Sequence, residues 1–284
     1  DDGSQASYQP IVETPWPYRF RCIRQENQGE VAARNLGVSL AHGELIIFLD
    51  DDIYVEPHYV AAFAAEFERY PDSVLIGVLY PWLGSAPSLF QIYYSAEIPR
   101  NIRPGEVSYI ECGTGTMAAA KAVYDSVGGM QPLGSGGRNA WGGMDFAYRA
   151  WQAGHTIRRC INAIAYHDDF AARSLKAMSQ RYYSVSRLAV LHLKRYPELL
   201  PQIPMFRDKT PIDWKSDPPR LILRKALRAA GSFKAALKIL EGIVCLLEKY
   251  YPSGRLLAPL YGWIVRGHMY LGYRQGLREF GRIK

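Results

Sequence analysis

The chain has 284 residues, enough for a sizeable core in one large domain, or in a domain with an appendage. Hydrophobic residues make up 48% and charged residues 21%, which excludes a disordered chain. Four scattered cysteines (Cys22, Cys112, Cys160, Cys245) with no C-x-x-C pair exclude a disulfide scaffold or zinc ribbon and suit free thiols in a reducing compartment.

The net charge of +7 is unevenly spread. Residues 1–169 hold 12 basic and 20 acidic side chains, and residues 170–284 hold 22 and 7. The acidic front half suits a cation, and the basic back half suits an anionic partner.

In chain order, Tyr18–Arg24 (YRFRCIR) has strand-like content. A helix is expected from about Glu30 to Ala41, ended by Gly43. Glu44–Leu49 is a short apolar run ending in acids, the pattern of a buried parallel strand. Pro57 opens a second helix, with Val60, Phe63, Ala64 and Phe67 at helical spacing. Val74–Tyr80 reads as another buried strand. The uncharged stretch Ser73–Ala96 is broken by glycines and prolines, so it is not a membrane span. Val107–Cys112 and Thr116–Ala120 are further strands. Ala119–Val127 is a short helix closed by Gly128-Gly129. Asp145–Ala153 is a helix, and Thr156–Tyr166 is the last strand.

This order implies an α/β sandwich with a mostly parallel sheet over residues 1–170, binding its ligand at the carboxyl ends of the strands. Residues 171–284 read as a helical annex. It comprises Ala171–Lys194, a Pro-, Asp- and Lys-rich linker near 197–219, and amphipathic helices Arg220–Ala230, Phe233–Tyr250 and Leu256–Phe280. On the last of these, Leu260, Trp263, Ile264 and Leu271 form an apolar side that either packs on the domain or lies in a membrane interface.

Asp50-Asp51-Asp52 follows the apolar run Leu45–Leu49 directly. Three adjacent carboxylates repel one another, and a divalent cation relieves that repulsion. The alternative is a solvated turn whose acids cap a helix. Around them, NQGEVAARNLGVSLAHGELIIFLDDDIYVEP (Asn27 to Pro57) strongly resembles the centre of the family 2 glycosyltransferases, which have the GT-A fold. The matching positions are Asn27, Gly29, Ala33, Arg34, Asn35, Gly37, Ala41, Gly43, Glu44, Asp50, Asp52 and Pro57.

The resemblance implies an inverting, metal-dependent transfer of a sugar from a nucleoside-diphosphate sugar to an acceptor hydroxyl. It implies Mn2+ or Mg2+ on Asp52 and Asp50, with His167 as a further ligand. Asp1 and Asp2 (in the opening DDGS), Arg34, Asn35, Asp50 and Asp51 are expected on the nucleotide-sugar. Gly113 and Gly115 of ECGTGTMAAA are expected beside the acceptor. Trp141 is either a stacking platform there or a packing residue.

In the family a first strand and its nucleotide-binding loop precede this region. They lie outside the sequence, so an N-terminally truncated member is expected. The family's general base is an acid near Trp141-Gly142-Gly143-Met144-Asp145. Asp145 is the base expected here, although a count back from Arg149 puts Gly143 at that position.

The acceptor is expected to be a sugar or lipid-linked sugar in polysaccharide, glycolipid or cell-envelope glycan synthesis. The expected location is the cytoplasm, peripheral to the inner face of an anionic membrane, with no nucleic-acid partner. Two rivals stand beside this reading. One is another metal-dependent nucleotide-sugar enzyme. The other is a non-catalytic or degenerate fragment that binds membrane or glycan.

Overall fold

The computed structural model describes residues 1–5, 13–95, 102–133 and 141–283. Helix α1 (Glu30–Leu40) starts after Gly29, whose φ of 90° suits a residue without Cβ. Strand β1 (Leu45–Leu49) alternates its side chains. Ile46 and Phe48 join the cluster holding Val31 and Val38 of α1, while Leu45 and Ile47 pack with Tyr59 and Phe63 of α2 (Tyr59–Arg69). The sheet is therefore covered on both faces, which gives three layers.

The remaining strands are β2 (Ile53–Val55), β3 (Val74–Pro81), β4 (Gly105–Glu106), β5 (Thr116–Ala120) and β6 (Ile157–His167). They join in the order β1-β5-β3-β6-β2, with β4 on β6. The three-layer α/β expectation holds, but the sheet is mixed rather than mostly parallel. Only β3 and β6 run parallel among these ladders. The cause is the connection 82–115, which leaves the end of β3 and enters β5 at that same edge, opposite Leu49. Strand β5 therefore runs against both β1 and β3. Val107–Cys112 is not a strand. Ser108 caps a 3-10 turn at Tyr109–Glu111 by accepting from the Ile110 N–H.

Helices α3 (Lys121–Ser126) and α4 (Gly142–Gln152) complete the front half. Behind it come α5 (Leu175–Arg195), α6 (Pro219–Gly231), α7 (Lys234–Tyr250) and α8 (Gly254–Phe280). Helices α5 and α8 pack closely because α8 presents glycine. A Cβ on Gly272 or Gly276 would run into the backbone carbonyls of Tyr183 and Arg187. Much of α8's apolar side is consumed this way, with Tyr261, Ile264, Val265 and Tyr273 buried. Residues 197–219 carry Leu199, Ile203 and Phe206 into the main core.

Candidate active site

The acids after β1 stand at the carboxyl end of that strand, with Asp50 against α1 and Asp52 against the end of β6. The Asp50 carboxylate accepts from Arg34 Nη2 at 2.6 Å, and Arg34 also faces Glu30 at 3.5 Å. Gly115 lies beneath: a Cβ there would sit 2.8 Å from Ile53 Cδ1 and 3.1 Å from Asp50 Oδ2. Glycine at 115 therefore makes room for the Asp50 carboxylate. Asp51 is exposed.

Strand β2 pairs Ile53 with His167, and the Asp168 N–H donates to the Asp52 carbonyl at 2.9 Å. This ladder brings Asp52 Oδ2 within 3.2 Å of His167 Nε2. Ligands about 2.1 Å from one octahedral cation stand about 3 Å apart, so Asp52 and His167 fit as neighbouring ligands of Mg2+ or Mn2+. No group of three or more His, Cys, Asp or Glu donors forms among the described residues. Such a cation would hold two protein ligands, leaving positions for water and phosphate oxygens. Asp50 is engaged by Arg34 instead.

The expected nucleotide residues divide. Asp2 accepts from the backbone N–H groups of Gln28 (2.9 Å) and Gly29 (2.7 Å) and from Gln25 Nε2 (2.6 Å). The Gln28 bond, then the Gln25 bond, hold its carboxyl below the usual carboxylate range. Asp2 thus fixes the entry to α1, the helix that carries Arg34. Asp1 lines a cavity of about 280 Å3 with Gln25, Leu36 and Gly37.

The Asn35 amide is engaged inside the protein. Its Nδ2 donates to the Met130 carbonyl at 3.0 Å, and its Oδ1 accepts from the Tyr124 hydroxyl and the Met130 N–H. Both ends of its amide tie α1 to the turn after α3.

The expectation of Asp145 as base is overturned, and of the two alternatives for Trp141 the packing one holds. Asp145 is 0% exposed, with its carboxylate 2.9 Å from Arg149 Nε and 3.4 Å from Arg195 Nη1. A base must reach a substrate proton, and this carboxylate instead joins α4 to α5. Gly143 offers no alternative, since a Cβ there would lie 2.8 Å from Gly113 C and Thr114 N. Trp141 is a packing residue: its Nε1 donates to the Val185 carbonyl at 3.0 Å and its ring stacks on His192. Gly113, in contrast, has open space at its Cβ position.

Sequence reasoning missed a cavity of about 630 Å3 between the end of β3, His167 and α8. Its walls include Trp82, Tyr93, Tyr182, Asp169 and Arg266. Trp82 is 43% exposed, and its backbone N–H donates to the His167 carbonyl at 2.9 Å, so it is anchored beside the acids. Asp169 pairs with Arg181 and accepts from the Ala171 N–H at 2.8 Å. The Arg266 guanidinium lies over Gly262, whose Cβ would stand 3.0 Å from both Nη atoms. No carboxylate pairs with Arg266 among the described residues. Trp82 and Asp169 follow shortly after expected strands; Tyr93, Tyr182 and Arg266 reach the cavity through long-range packing.

Comparisons with known proteins place these residues in context. EpsH of Bacillus subtilis is 38% identical over 85 residues, covering 24% of this chain and 25% of that protein. The hyaluronan synthase of Pasteurella multocida is 36% identical over 80 residues, covering 27% of this chain and 8% of that protein. The aligned part of the chain thus spans a quarter or less of these relatives. The mannosyltransferase PcManGT from Pyrobaculum calidifontis, solved in complex with GDP-Man and Mn2+, superposes with a TM-score of 0.49 at 14% identity, over 89% of this chain and 69% of that one. Residues 1–125, which carry Asp2, Arg34, Asp50, Asp52 and Gly115, match the family described as Glycosyl transferase family 2.

Proposed function

We propose that the chain transfers a sugar from a nucleoside-diphosphate sugar to an acceptor hydroxyl, inverting the anomeric centre in one displacement. The approach of Asp52 to His167 at 3.2 Å, beside the Asp50 that Arg34 holds, carries this reading. Mn2+ or Mg2+, the first of which accompanies GDP-Man in PcManGT, would rest on Asp52 and His167 and offset the charge of the departing diphosphate. Arg34 orients Asp50 toward the donor, and Asp2 keeps α1 in position for it.

The acceptor enters the cavity beside His167. Trp82 and Tyr182 offer flat apolar faces with polar tips, and Arg266 takes an anionic group such as a phosphate or carboxylate. With Asp145 enclosed, Asp169 is the carboxylate on the cavity wall, and it accepts the proton of the attacking hydroxyl. The reaction serves polysaccharide, glycolipid or envelope-glycan synthesis, with the protein held peripherally at the cytoplasmic face of a membrane.

A second reading has one observation in its favour. The backbone of Gly113–Thr114 fills the space that a side chain at 143 would need, so a member that binds donor without turnover is its natural outcome.

The test incubates the full chain with UDP- and GDP-sugars and Mn2+. Release of UDP or GDP is expected, lost in Asp52→Ala and reduced by ~10²-fold or more in Asp169→Asn. Turnover unchanged in a folded Asp52→Ala protein overturns the proposal. Donor binding without turnover supports the second reading.

A further inference from the structure

Helices α6 and α7 leave an apolar face uncovered. On α7, Ile239 (64% exposed), Ile243, Leu246 (60%) and Tyr250 recur at intervals of three or four, so they lie along one side of the helix. Leu223 and Leu227 of α6 and Phe233 of the turn between the helices are exposed as well. Monomeric soluble proteins seldom leave so many large side chains in water along two successive helices.

The charges on these helices are sorted. Arg220, Arg224, Lys234, Lys238 and Lys249 are exposed. The two acids of α7 are turned to α8: Glu241 faces His268 at 3.2 Å, and Glu248 accepts from the Tyr261 hydroxyl at 2.5 Å. No other acid lies between Pro219 and Tyr250. The outward face therefore offers hydrocarbon and positive charge together. The inward face is fixed by Leu237 and Val244, both buried.

We infer that the exposed sides of the successive helices α6 and α7 are the surface by which this protein docks on an anionic lipid bilayer. The two helices lie in the interface plane, with Leu223, Leu227, Phe233, Ile239, Ile243 and Leu246 at the acyl boundary and the lysines and arginines among the headgroups. The charge sorting selects lipid over a second copy of the chain, because two copies meeting through this face would bring like charges together. No helix among the described residues is long and apolar enough to cross a membrane, so the contact is interfacial. The inference deepens the peripheral attachment proposed above and moves it from α8, whose apolar side is largely buried, to α6–α7. It does not depend on the transfer chemistry.

The experiment sediments the full chain with phosphatidylglycerol vesicles and with phosphatidylcholine vesicles, at low and high salt. Binding to the anionic vesicles is expected, and it should weaken as salt screens the headgroups. Ile239→Glu with Leu246→Glu should lower binding at least ~10-fold. Lys234→Ala with Lys238→Ala should lower it about fivefold per residue. These positions are exposed, and circular dichroism together with binding of UDP and GDP in the presence of Mn2+ checks that the fold and donor site survive.

Failure to bind anionic vesicles at low salt overturns the inference. So does binding that the four substitutions leave unchanged, or a dimer in sedimentation equilibrium that Ile239→Glu dissociates. Loss of vesicle binding with nucleotide binding intact supports it. A chain that binds vesicles but no nucleotide would contradict the proposed function and leave this docking surface standing.

Discussion

His192 is fully buried against Trp141 and Tyr196, and neither ring nitrogen has a hydrogen-bond partner among the described residues. Burial, opposed by the Asp145 charge, pulls its pKa down to about 4. The folded value lies below the unfolded one, so the unfolded chain takes up the proton first as pH falls. The stability this neutral ring contributes is intact above about pH 6.5 and drains away toward pH 4, ~3 kcal/mol at the full shift. Urea midpoints should therefore fall between pH 7.5 and pH 4.5, and His192→Phe should flatten that fall. An unchanged pH dependence in His192→Phe would place the acid sensitivity elsewhere. Residues of this kind were the least legible in the sequence. Asn35 sits in a motif yet bonds to Met130, and Trp141 sits beside an expected base yet bonds to Val185. Their partners are 95 and 44 positions away, beyond any local pattern.

Helices α4 and α5 meet through Asp145, which lies between Arg149 of its own helix and Arg195 of the next. Arg149 spends its other donors on the carbonyls of Val127 and Gly129. Removing the carboxylate leaves a nearly buried guanidinium without its counter-charge, so Asp145→Ala should cost ~3–5 kcal/mol in urea unfolding. Asp145→Asn should cost less, since the amide oxygen still accepts from Arg149. A cost below ~1 kcal/mol for Asp145→Ala would show that the pair is dispensable. Elements with a strong local pattern were legible: the apolar run before Asp50 forms β1, and Pro57 precedes α2 by two residues. Strand direction was not. It depends on which edge the chain re-enters after 82–115, and Val107–Cys112 has strand content that the Ser108 cap diverts into a turn.

Across the whole molecule, the charge asymmetry read from composition takes a definite shape. The acids Asp50, Asp51 and Asp52 gather at the strand ends between β1 and β2, while the exposed cations of α6 and α7 lie on the annex. The cavity of about 630 Å3 is lined by His167 at the end of β6 and by Arg266 of α8, so sheet and annex wall it together. Whether Asp52 and His167 hold a divalent cation for the donor's diphosphate is decided by calorimetric titration of UDP and GDP into the full chain, with Mn2+ and with EDTA. Nucleotide binding should require Mn2+ and weaken by at least ~10-fold, the loss of ~1.4 kcal/mol, in Asp52→Ala and in His167→Ala with the circular dichroism unchanged. Binding of equal strength in EDTA, or in both variants, would contradict it.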